Sequence, residues 1–202
     1  KSFAFVLLTD VAAGLVVNFS DQGWREDTSA WQANGEGHIA WTVPAGGLDA
    51  GTVVHITNGV SLSASVGSVV SSSGTFDLTT AGDQIFAYMG TKAAPFFIAA
   101  INAADDSRWN PAPGTISRTG LPPGLTNDLT ANLMGDREDG VYFRMIRNGS
   151  KDDHLRKIND SFSWHLGDDR LFVYPAVYDI RVIPQGIVYN AGEVPEGRID
   201  GY

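Results

Sequence analysis

The sequence has no cysteine. That excludes disulfide staples, thiolate nucleophiles and zinc–thiolate centres in one step. It also lacks any apolar run near the ~18 residues needed to span a bilayer as a helix. The chain opens on Lys1 and then SFAFVLL, a run that soon stops at Thr9-Asp10, and it reads as the start of a mature or trimmed chain. Basic residues are few: 14 Lys and Arg stand against 23 Asp and Glu, a net charge of −9. An acidic chain cannot neutralise phosphate, so nucleic-acid binding and anionic membrane surfaces are disfavoured. No HExxH, no G-x-S-x-G elbow and no P-loop occurs.

What is present is turn chemistry. The chain has 23 glycines in 202 residues, with many Ser, Thr, Asn and Asp, and 43% hydrophobic residues. This suits one domain, or a domain with an extension, that buries a sizeable core from short strands and tight turns. Strands are expected at residues 3–8, 15–20, 38–44 and 52–57, in the pair GTFDL and DQIFAYMG, and at 95–102, 140–146 and the alternating run RLFVYPAVYDIRVI. Residues 60–73 suit a weak edge strand or a loop, TANLM a short strand, and the proline-containing stretch 103–125 a surface loop. One helix is expected in SKDDHLRKINDSF, capped by Ser150, with Asp152 and Asp153 early, Arg156 and Lys157 late, and Leu155, Ile158 and Phe162 on one face. About ten short strands with turns every 8–12 residues are the pattern of an all-β sandwich.

Two segments match: AGLVVNFSD (Ala13 to Asp21) and AGTVVHITN (Ala50 to Asn58). In each, Gly permits a tight turn, the next residues put one apolar face inward, and Ser/Thr with Asp/Asn ends the strand. Equivalent hairpin arms and convergent turn chemistry both account for the match.

The order of segments resembles the lamin-tail-like family. IAWTVPAGGLDAGTVVHIT resembles its strand, proline, small-residue turn and next strand. FDLTTAGDQIFAYMG resembles its following hairpin, and FVLLTDVAAGLVVNFSDQGW its opening strand pair. A bacterial and algal subgroup of secreted domains is more similar still, through the Gly-Trp ending at Trp24, GEG (35–37), GDQ (82–84) and LPPGLT (121–126). The resemblance covers residues 3–165. It implies an immunoglobulin-like β-sandwich with one short helix and long loops, extracellular or at the cell surface, working as an attachment or interaction module with no catalytic residues. Residues 1–167 would be that domain. Residues 168–202, a C-terminal extension with no counterpart in the family, would add strands or pair between subunits.

Candidate sites follow from residue type. The four histidines, His38, His55, His154 and His165, form no i,i+4 pair and read as strand and helix surface positions. Asp136, Glu138 and Asp139 offer hard oxygen ligands in a Gly-flanked loop suited to Ca²⁺, short of a full EF-hand pattern; a solvated turn accounts for the same residues. Trp24, Trp31 and Trp109 fall in turns or loops, where indole rings stack on sugars, anchor a partner, or cap the ends of the sandwich. Asn18, Asn148 and Asn159 head Asn-x-Ser sequons, usable only in a secreted eukaryotic chain. The expected function is non-enzymatic: a subunit that self-associates into a fibre or surface layer, or binds a surface partner. The alternative is a secreted hydrolase or a carbohydrate-binding accessory module.

Overall fold

The first two strands do not form a hairpin. In the computed structural model, β1 (Ser2–Val6) belongs to one sheet and β2 (Val16–Ser20) to another. The structure describes residues 2–33, 35–79, 82–103, 108–115, 118–135, 139–142, 148–167 and 180–183. After β2 come β3 (Trp24–Arg25), β4 (Ala30–Trp31), β5 (His38–Thr42), β6 (Val53–Asn58), β7 (Leu62–Ala64), β8 (Ser68–Ser73), β9 (Gln84–Thr91) and β10 (Ala94–Asn102). Then follow β11 (Ala131–Leu133), β12 (Asp139–Tyr142), β13 (Asn148–Ser150), helix α1 (Lys151–Ile158), a 3₁₀ turn at Ser161–Ser163, β14 (Trp164–Gly167) and β15 (Arg181–Ile183). A three-stranded sheet has the order β1-β6-β7, and a six-stranded sheet the order β11-β10-β9-β2-β5-β8. The fold is all-β, with one short helix among the described residues.

Strand alternation builds the layers. Side chains on successive strand residues point to opposite faces, so Phe3 and Phe5 of β1 share a face, as do Val54 and Ile56 of β6. Against them stand Val17 and Phe19 of β2 and Ile39 and Trp41 of β5, in one buried cluster. Phe5 lies 4.8 Å from Phe19 and 5.1 Å, edge-on, from Trp41 by ring centroids. Burying a side chain of this size contributes about 1.5–3 kcal/mol, so this inter-sheet core is the main reason the two sheets stay together. The matched segments now have a place. β2 and β6 are inner strands of the two sheets, and both supply this core.

The large sheet is buried on its other face too. Phe86 and Tyr88 of β9 and Phe97 and Ala100 of β10 pack there with Trp24, Leu125 and Ala131, and with partly buried Trp31, Trp109 and Leu121. The stretch 103–125 is therefore not simply surface loop. Thr119 is fully buried, its hydroxyl accepts from Trp24 N at 2.8 Å, and Gly120 N donates to Trp24 O at 2.8 Å. Trp109, Leu121 and Leu125 of this stretch, together with Trp24 and Trp31 of the β3–β4 pair, cover that sheet face.

Helix α1 begins as expected. Ser150 Oγ accepts from Asp153 N at 3.2 Å and Asp153 Oδ2 accepts from Ser150 N at 2.9 Å, a reciprocal capping box. Its buried residue is His154, and Phe162 stands 80% exposed. The helix stops at Ile158, so Phe162 falls in the 3₁₀ turn and leaves the expected face.

Residues 180–183 rejoin the same chain. β15 pairs in parallel with β13, and His154 Nε2 donates to Arg181 O at 2.9 Å. Ile180 is buried, and its carbonyl lies so close to Gly51 that a Cβ there would stand 2.0 Å from it. The remainder of 168–202 lies outside the described residues. Among the described residues no helix is long and apolar enough to cross a membrane.

Candidate functional site

The densest polar chemistry lies on the second face of the large sheet, at the ends of β2, β5 and β9. In HIAWT, Ile39 and Trp41 enter the inter-sheet core, so His38 must face the other way. It is buried there, a correction to its expected surface position. His38 Nδ1 is 2.8 Å from Tyr88 Oη, and Nε2 is 2.7 Å from Gln22 Oε1. The amide oxygen can only accept, so Nε2 carries the proton and Nδ1 accepts from the tyrosine hydroxyl. Burial, and then the charge of Lys92, hold His38 down at about 4, while burial pushes Tyr88 up to about 12. Both groups are neutral at pH 7, as that hydrogen bond requires.

Ser20 lies 3.4 Å from His38 Nε2, but its hydroxyl donates to Gly37 O at 2.9 Å and accepts from Gln22 N at 3.0 Å. The serine proton points at a carbonyl and the facing imidazole nitrogen holds a proton of its own. A nucleophile needs the opposite arrangement.

Two buried aspartates tie the loops to this layer. Asp21 Oδ1 accepts from Gly37 N at 2.8 Å and Oδ2 from Asp77 N at 2.6 Å. Asp83 Oδ1 accepts from Gln84 N at 2.9 Å and Oδ2 from Thr79 N at 3.1 Å. Gln84 Nε2 donates to Asp21 O, which closes the link between the two aspartate loops. Burial is the largest influence on both carboxyls. It raises Asp21 and drives Asp83 to about 8, helped by the nearby charges of Glu36 and Asp21. The signal for this layer was in the sequence: the dipeptide Asp-Gln occurs at Asp21-Gln22 and again at Asp83-Gln84, beside a strand in both places. Taken as turn chemistry, it did not reveal that all four side chains are buried.

The three tryptophans fall together or apart as follows. Trp24 and Trp31 are paired across β3 and β4, with rings 5.3 Å apart and perpendicular. Trp31 stacks edge-on against His38 at 4.9 Å, and its Nε1 donates to Lys92 O at 2.9 Å. Trp24 is 4% exposed, packed with Phe86 of β9 and Phe97 of β10, so it offers no open platform. Trp109 is half-buried against the same cluster, and its Nε1 donates to Asn127 Oδ1 at 2.7 Å. These rings cover the second core.

The remaining candidates are scattered. Asp139 opens β12 opposite Gly167, while Asp136 and Glu138 lie outside the described residues. Among the described residues no three His, Asp or Glu side chains are grouped to hold a metal ion. Asn148 is exposed in β13. Asn18 is half-buried within the large sheet, with its amide on Gly90 O at 3.2 Å. Asn159 is buried, and its amide donates to Leu129 O at 2.7 Å and Leu155 O at 2.9 Å. A glycan on Asn159 would replace those bonds, so the folded chain corrects that expectation.

No family model, curated protein or solved structure matches the chain. The class that the fold defines is an all-β sandwich with a buried polar layer beside its core.

Proposed function

We propose that this chain is a non-enzymatic extracellular or cell-surface module, an immunoglobulin-like sandwich of lamin-tail-like type, that works by self-association or by binding a surface partner. The observation that carries the reading is what the sheets hold out to solvent. Phe96 on β10 is 69% exposed, Val70 on β8 is 60% exposed, and Ile98 also stands open. Ser20, His38, Asp21 and Asp83 are buried and bonded into the framework. A hydrolase needs carboxylates facing substrate, and these two face backbone amides. Covering such apolar side chains with another protein surface is favourable.

Light-scattering mass after size exclusion tests the reading, over a concentration series and with Ca²⁺ and then chelator. Species larger than the 21.6 kDa monomer support it. Loss of those species on chelation would place Ca²⁺ at the contact. A monomer under every condition overturns self-association and turns attention to glycan arrays.

A further inference from the structure

β8 is an end strand of the six-stranded sheet, bonded to β5 on one side and to no other strand among the described residues. An open strand edge presents unpaired amide and carbonyl groups to any other strand. Proteins usually guard such edges with charge, proline or a covering element. The guards of composition are missing here. From Asp49 to Asp77 the intervening chain has no Asp, Glu, Lys, Arg or Pro, and this stretch contains β6, β7 and β8. β7 ends the small sheet and leads through residues 65–67 into β8, so the same uncharged stretch forms an end strand of both sheets. Lys92 reaches this edge: its Nζ lies 3.4 Å from Ser73 Oγ, at the far end of β8.

Charge selects the occupant. Two copies carrying −9 each repel over most of their surfaces. The uncharged edge is where that repulsion is least local. Ser68, Val69, Val70 and Ser71 form a neutral, β-prone strand that can pair with its own copy without opposing like charges.

Resting on the self-association reading above, we propose that two copies pair through β8, antiparallel across a two-fold axis, joining their six-stranded sheets edge to edge. Such a contact is isologous, because each strand offers the other the same residues. Val70 faces outward beside the axis, and the register with β5 places it opposite Ala40, on the face away from the inter-sheet core.

The test compares V70K, S68K and F96K with the unsubstituted chain by sedimentation equilibrium, with circular dichroism and melting as checks of folding. All three side chains stand on the surface, so the melts should be unchanged. The expected result is a dimer for the unsubstituted chain and for F96K, with a dissociation constant about tenfold or more weaker for V70K, where like charges meet across the axis, and a smaller weakening for S68K, whose two lysines lie on either side of it. Because the chain has no cysteine, Ser68→Cys, Val70→Cys and Ser72→Cys can be oxidised one at a time. An antiparallel two-fold contact cross-links only the positions at the axis. Assembly that survives V70K and S68K but fails in F96K overturns pairing through β8 and leaves self-association standing. An open-ended series of masses overturns the two-fold arrangement. A monomer at every concentration overturns the underlying reading and the pairing together.

Discussion

Tyr88 and His38, fifty positions apart in the chain, meet at 2.8 Å with the phenol donating to Nδ1. Three strands are fastened by that contact, because His38 lies on β5, Tyr88 on β9, and β2 runs between them in the sheet. His38 Nε2 is bound on its far side to Gln22, so the imidazole is satisfied at both nitrogens. The polar layer thus does for the second face of the sheet what Phe5, Phe19 and Trp41 do for the first.

Removing the phenol hydroxyl tests that role. Y88F keeps the ring in its cluster with Phe97 and Trp31 but leaves a buried imidazole nitrogen without a partner. A buried acceptor left unsatisfied costs about 1–3 kcal/mol. Urea unfolding should show that loss with an unchanged slope. A cost near zero would mean that water replaces the hydroxyl and that the layer is less closed than its burial indicates.

The same layer sets the pH dependence of stability, through two groups of opposite sign. Asp83 titrates at about 8 in the fold against an ordinary 3.8, so between those values the folded chain binds more protons than the unfolded one. Its stabilisation is full at low pH and is lost as pH rises through about 8. His38 titrates at about 4 against an ordinary 6.5, so in that window the unfolded chain binds more protons. Its stabilisation is full above 6.5 and is lost as pH falls toward 4. Asp21, also raised, acts in the same sense as Asp83. From about 4 to 6.5 the slopes of His38 and Asp83 oppose and nearly cancel, which leaves only the fall that Asp21 adds. From 6.5 to 8 the aspartate slope stands alone, and stability should fall by up to about 1.4 kcal/mol per pH unit for one proton. In D83N the fall above 6.5 should shrink. Denaturant midpoints measured across this range decide it, and a stability that rises from pH 6.5 to 8 in the unsubstituted chain would sink the assignment.

Much of the fold was legible because it is written in local periods. Ile39 and Trp41 alternate with polar neighbours, and the Ser150–Asp153 box announces its helix, since both signals are set within a few residues. Strand partners are not local. Nothing between Val6 and Val16 shows that β1 pairs with β6 and β2 with β5, because the same alternation suits a hairpin or a crossing between sheets. The site was hidden for a related reason. His38 looks like an outward polar residue until loops carrying Trp24 and Trp31 cover that face, and covering is a long-range event. The repeated Asp-Gln pair was visible, but its meaning depended on Gln84 reaching Asp21 across the sheet.

Gly51 offers a test of how firmly residues 180–183 are held. Its φ is +90°, a conformation that side chains with Cβ adopt at a cost, and the missing Cβ is the space taken by the Ile180 carbonyl. G51A would meet both obstacles, the backbone angle and a contact at 2.0 Å with main chain rather than a movable side chain. Strain at such a position is worth about 1–3 kcal/mol. The backbone can relieve the contact by releasing Ile180, which would also break the His154 to Arg181 bond and the β13–β15 pairing. Amide exchange should therefore quicken at 181–183 and at 148–150, while Ile39, Trp41 and Val54 in the inter-sheet core keep their protection. If exchange rises equally throughout, Gly51 instead supports the whole sandwich, and the C-terminal strand is an integral part of it.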